Sequence, residues 1–118
     1  MDNRFIIVTA LYNVEKWIGK TIKSVMKQNY NNYKCILVDD LSTDKSKEVI
    51  KKIINNDDRF ILVENEEKKC SLQNICEAVQ NYSEEEDIIV ILDGDDFLYG
   101  DSVLTRLNEE YNKHNCWL

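Results

Sequence analysis

Four short stretches of this sequence are continuously apolar: Phe5–Leu11 (FIIVTAL), Cys35–Val38 (CILV), Phe60–Val63 (FILV) and Ile88–Leu92 (IIVIL). Such runs are short for helices and lack the alternation of a strand with one wet face. They read as strands covered on both sides. After each, apolar residues recur at helical spacing: Trp17, Ile18, Ile22, Val25 and Met26; Val49, Ile50, Ile53 and Ile54; Leu72, Ile75, Cys76, Val79 and Tyr82; Val103, Leu104, Leu107 and Tyr111. Asn13, then Ser42 or Thr43, then Asp101 or Ser102 are placed to cap three of these helices. Four strand–helix units with short connections and right-handed crossovers predict an α/β, Rossmann-like fold. Its sheet is doubly wound and mostly parallel, with about four βα units.

At 118 residues the chain is one domain with one modest core. Residues 1–118 are therefore taken as a single unit. The closing tripeptide Cys116-Trp117-Leu118 is apolar and follows a helix, so it reads as the start of another strand and the chain as incomplete.

The fourth apolar run enters Asp93-Gly94-Asp95-Asp96. The run reads as a central strand, and the acids fall at its C-terminal end, the edge where open α/β sheets bind ligands. Three carboxylates this close repel one another, and a hard cation such as Mg²⁺ or Mn²⁺ is the natural way to hold them. Gly94 supplies a turn or a close approach. The bland counterpart is a solvated acidic loop.

The same edge collects Thr9 with Tyr12-Asn13 after the first strand, and Asp39-Asp40 after the second. The chain has only three glycines and no glycine-rich phosphate loop, which excludes the usual dinucleotide and Walker-type sites. A nucleotide here would be held otherwise. Tyr12 would stack on the base. Asp39 or Asp40 would accept from base N–H groups or ribose hydroxyls.

Composition narrows the partners. A net charge of −7 argues against general nucleic-acid or anionic-membrane binding, since both need a positive surface, and no apolar run approaches the ~20 residues of a membrane span. The four cysteines form no CxxC and are read as reduced thiols, mostly packing, with Cys35 and Cys76 within apolar patterns. That places the chain in a reducing, cytoplasmic setting.

FIIVTALYNVEKWIGKTIKSVMKQNY, then YKCILVDDLSTDKS, then ILDGDDFL, in that order, resemble the N-terminal half of family 2 glycosyltransferases of the GT-A fold. The resemblance implies a UDP-sugar donor held by Thr9, Tyr12, Asn13, Glu15, Asp39 and Asp40. Lys69 and Asn74 would lie near the nucleotide, and Asp93 near ribose or metal. It implies Mn²⁺ or Mg²⁺ on Asp93 and Asp95, and inverting transfer to an unknown glycan, protein or lipid acceptor. The D-x-D pattern falls on Asp93 and Asp95. Relatives often carry proline in place of Ala10, glycine in place of Leu41, and Arg-Asn in place of Gln73-Asn74. The acceptor-binding half, which supplies the catalytic base, is missing from the resemblance, so no catalytic residue is assigned. An exposed sheet edge left by that half would favour homo-oligomers. Two rivals stand beside this reading: a non-catalytic nucleotide-sugar-binding module, and a receiver-like signalling domain. The second fits poorly, since its acids belong after the first and third strands.

Overall fold

The computed structural model describes residues 2–114. The strand start expected at Cys116–Leu118, and the Cys116 thiol, lie outside them. The elements run β1 (Phe5–Leu11), α1 (Ile18–Met26), β2 (Tyr33–Asp39), α2 (Ser46–Ile53), β3 (Phe60–Glu64), α3 (Ser71–Tyr82), β4 (Ile88–Ile91) and α4 (Val103–His114). The four strands form one sheet in the order β3-β2-β1-β4, and all three pairings are parallel.

The apolar runs explain the layering. Odd-numbered residues of β1 and β2 (Phe5, Ile7, Leu11, Cys35 and Leu37) meet Ile18, Ile22 and Val25 of α1, Ile50 of α2 and Leu104 of α4. Even-numbered residues (Ile6, Val8, Ile36 and Val38) meet Ala78, Ile75 and Val79 of α3. A strand with apolar residues at every position therefore has helices on both faces, as the lack of alternation predicts. Burial runs down from the centre: Ile6, Ile7, Ile36 and Leu37 are fully buried.

β4 departs from expectation. Among the described residues it pairs only with β1, along Phe5–Val8, and lies at the edge of the sheet. Ile88, Ile89 and Val90 are half-buried and Ile91 is 59% exposed. A continuous apolar run records what a strand can bury, and among the described residues one flank of β4 has no strand beside it.

The helix caps also differ. Asn13 sits in the left-handed region (φ 51°) and caps nothing in α1. Ser42 and Thr43 precede α2, which starts at Ser46, where Asp44 Oδ1 accepts from the Ser46 N–H at 2.9 Å. The start of α4 is capped from a distance. Buried Gln28 uses Oε1 to accept from the Val103 and Leu104 N–H groups at 2.9 and 3.2 Å. Its Nε2 donates to the Ser24 and Gly100 carbonyls. In α3, Leu72 is 70% exposed and Cys76 is exposed, so the inward face rests on Asn74, Ile75, Ala78 and Val79. Trp17, expected to pack, is 56% exposed.

Candidate functional site

Parallel pairing puts the ends of β1, β2 and β3 in line: Leu11 opposite Asp39, and Asp39 opposite Glu64. The loops after these strands, and the one after β4, therefore share one edge. They are tied together through backbone groups. Asn13 Oδ1 accepts from the Thr43 and Asp44 N–H groups at 2.8 and 3.3 Å, and the Asn13 N–H donates to Ser42 Oγ at 2.9 Å. The Val14 N–H donates to Ser46 Oγ at 2.9 Å, and the Glu15 N–H to Asp44 Oδ2 at 3.2 Å. Asn13 thus braces the loop after β2, and Glu15 is an exposed residue on its rim.

Asp39 and Asp40 have different surroundings. Asp39 is on the odd-numbered face, like Thr9, and both are buried. Asp39 Oδ2 accepts from the Ser42 N–H at 3.1 Å, which fixes the turn. Asp39 Oδ1 and Thr9 Oγ1 have no hydrogen-bond partner among the described residues. Asp40, just past the strand, turns to the α3 side. Its Oδ1 accepts from the Lys69 N–H at 2.8 Å and from Asn65 Nδ2 at 3.0 Å. Asn65 Nδ2 also donates to Asn74 Oδ1 at 2.8 Å, which explains why Asn74 is buried. Burial pushes the Asp40 carboxyl up. The Lys69 N–H, the Asn65 amide and the Lys68 charge outweigh it, and the group ends below the usual carboxylate range.

Beside Asp40 lies an open cavity of about 260 Å³, lined by Ala10, Leu11, Tyr12, Lys68, Cys70 and Ser71, with Asp40, Lys69 and Asn74. Tyr12 is 45% exposed here. The Lys68 ammonium sits 3.1 Å from the Tyr12 ring centroid and 3.7 Å from Asp40 Oδ2. The Lys69 ammonium faces away and pairs with Glu77 at 3.0 Å, whose carboxylate raises its pKa. Lys69 therefore enters the cavity wall through its backbone.

The acidic loop is held against the same edge. A Cβ on Gly94 would lie 3.0 Å from Leu11 Cβ and 3.2 Å from Val14 Cγ2. Gly94 is thus needed for close approach to the loop after β1; its φ is not positive. The Thr21 hydroxyl bonds the Gly94 carbonyl at 2.9 Å and the Asp96 carbonyl, while Ser24 Oγ accepts from the Leu98 N–H at 3.0 Å. With the backbone held this way, Asp93, Asp95 and Asp96 are exposed, and one oxygen of each lies within 4.8 Å of the others. Three hard oxygen donors at that separation fit a divalent cation.

The sequence pattern of the family described as "Glycosyl transferase family 2" matches residues 6–116. The chain belongs to that family. Among family relatives, an uncharacterized glycosyltransferase of Haemophilus influenzae is 36% identical over 111 residues, which are 92% of this chain and 42% of that protein. Of solved structures, residues 1–349 of S. aureus TarS in complex with UDP superpose with a TM-score of 0.83 at 22% identity, over 95% of this chain and 33% of that fragment. The Pyrobaculum calidifontis mannosyltransferase PcManGT, in complex with GDP-Man and Mn²⁺, gives 0.75 at 21% identity, over 85% of this chain and 30% of its own. These likenesses show the GT-A fold. The chain spans less than half the length of each family 2 relative it matches here.

Asn65, Lys68 and Asp44 were missed in reading the sequence. Asn65 directly follows the third strand at the ligand edge, so the rule that selected Tyr12 and Asp40 could have selected it too. Lys68 lies in a charged run and carries no such signal.

Proposed function

We propose that this chain is the donor-binding part of a cytoplasmic glycosyltransferase and takes a UDP-sugar. One observation supports the reading above the others. Asp40 has one oxygen fixed by Lys69 and Asn65 and the other paired with Lys68 at 3.7 Å, and it lines a cavity walled by an exposed Tyr12. A carboxylate held ionised beside an aromatic face suits the imide N–H of a uracil stacked on Tyr12. Lys68 moves off the ring as the base enters. Thr9 and Asp39 shape the floor from below, Asn13 and Glu15 the rim, and Lys69 and Asn74 keep Asp40 in place.

Asp93 and Asp95, with Asp96 adjacent, would hold Mn²⁺ or Mg²⁺, which supplies positive charge for the departing diphosphate. Thr21 and Ser24 hold the backbone of that loop, so its carboxylates stay exposed beside the cavity. Inverting transfer needs in addition a base for the acceptor hydroxyl, and no residue at this edge is assigned that role.

The test is calorimetric titration of UDP with and without Mn²⁺, on this chain and on Asp95→Ala. Binding that requires the metal and is lost in the variant is expected. Absence of UDP binding in both conditions would sink the proposal.

A further inference from the structure

The overall charge of −7 is unevenly distributed. Residues 15–27 and 45–53 carry eight lysines against Glu15 and Glu48, a net +6, while the rest of the chain is strongly acidic. On α1 and its flanks the lysines are Lys16, Lys20, Lys23 and Lys27. Spacings of four, three and four keep them on one outward stripe, and all four are exposed. On α2 and the residue before it they are Lys45, Lys47, Lys51 and Lys52, flanking the buried Ser46 and Ile50, with Lys47 half-buried. The two helices are adjacent, and a Cβ on Gly19 would lie 3.4 Å from Ile53 Cδ1, so the two sets of lysines are neighbours; Lys51 among them pairs with Glu64 at 3.3 Å.

A row of aromatics borders that face. The loop after β4 runs alongside α1: Gly94 and Asp96 bond Thr21, Leu98 bonds Ser24, and Gly100 bonds Gln28. Leu98 points inward, so Phe97 and Tyr99 point out, at 45% and 88% exposure. Trp17 is exposed at the ligand-edge end of α1, and the Lys20 ammonium lies 4.1 Å from the Phe97 ring centroid.

We infer that this lysine-and-aromatic face, α1 with α2 and the Phe97–Tyr99 loop, docks on an anionic lipid surface. Charge complementarity argues for it: ammonium groups on flexible stems meet lipid headgroups, and Trp and Tyr rings seat at the level where hydrocarbon meets water. Other partners fit less well. Protein interfaces are depleted in lysine, and a convex pair of helices offers no groove for a nucleic-acid backbone. Docking would hold the acidic loop beside the lipid, where a lipid-borne acceptor would present itself.

The experiment is sedimentation of the full chain with phosphatidylcholine vesicles, with or without phosphatidylglycerol. Binding only to the anionic vesicles, weakening as salt is raised, is expected. Lys23→Gln/Lys27→Gln/Lys52→Gln lies away from the ligand edge and should keep the thermal midpoint while binding about tenfold or more weakly. Tyr99→Ser is a second variant and should also bind less tightly. In a Trp117→Phe background, Trp17 emission should shift to the blue on anionic vesicles. Equal binding by the triple-lysine variant, no binding to anionic vesicles at low salt, or binding of an oligonucleotide in preference to vesicles would each overturn the inference.

Discussion

The Lys69 amide N–H lies 2.8 Å from Asp40 Oδ1, while the Lys69 ammonium points away to Glu77. The lysine that the sequence offers as a ligand contributes its backbone, and its charge is engaged on α3. Asp40 Oδ1 is thereby fixed by neutral donors, while the Lys68 ammonium lies 3.7 Å from Oδ2.

Asn65→Ala tests that arrangement. The substitution removes one donor from Asp40 Oδ1 and leaves Asn74 Oδ1 short of its partner. Loss of one such bond to a charged group predicts roughly tenfold weaker uridine binding. Titration with uridine, which has no phosphates, reads the base site apart from the acidic loop. Unchanged affinity would mean that Asp40 does not hold the base.

Gly94→Ala should be costly for steric reasons. Its methyl would meet Leu11 Cβ, next to the backbone, at 3.0 Å. A destabilisation of about 1–3 kcal/mol follows from overpacking. The strain falls on the loop that carries Asp93 and Asp95, so Mn²⁺ affinity should fall with the thermal midpoint. Calorimetry at a temperature where the variant is folded measures both.

Leu41 is the residue in the left-handed region (φ 60°) where the resemblance puts glycine. A leucine there is strained by about 1–2 kcal/mol, partly offset by the lower unfolded-state entropy of a non-glycine residue. Leu41→Gly should therefore raise stability by about 0.5–1 kcal/mol, measured as a rise in the urea midpoint at unchanged slope.

Acid should unfold the chain through its paired carboxylates. Asp87 is held below the ordinary range by the two-pronged hydrogen bond from Arg4, 2.9 Å from Nε and 2.6 Å from Nη2. Asp57 is lowered by Arg59, and Asp44 by Ser46 against the effect of its burial. A carboxyl depressed in the folded state stabilises it fully above the unfolded pKa, about 3.9, and loses that contribution as pH falls through the folded value. The thermal midpoint should hold near pH 5 and drop below about pH 4. Asp87→Asn should melt lower at neutral pH and show a shallower acid drop.

Element order and type were legible because strand and helix periods are written in local spacing. The neighbours of β4 were not: IIVIL has the composition of a central strand, and edge status depends on what lies beside it. The Asp39-Asp40 pair was legible as a pair only. Which acid faces in depends on where β2 ends, and one residue of register reverses the answer. Asn13 looked like a cap because its amide bonds backbone N–H groups. Those groups belong to Thr43 and Asp44, about thirty residues away, and no local pattern encodes that distance. The same holds for Gln28, a polar residue that caps a helix far along the chain.

Thr21, Ser24 and Gln28 each bond main-chain atoms of the segment from Gly94 to Leu104. The segment is gripped by its peptide groups, whatever its outward residues are. Asp95, Phe97 and Tyr99 can then be exchanged without refolding the loop. A lineage, or an engineer, could retune what this edge binds while leaving its shape unchanged.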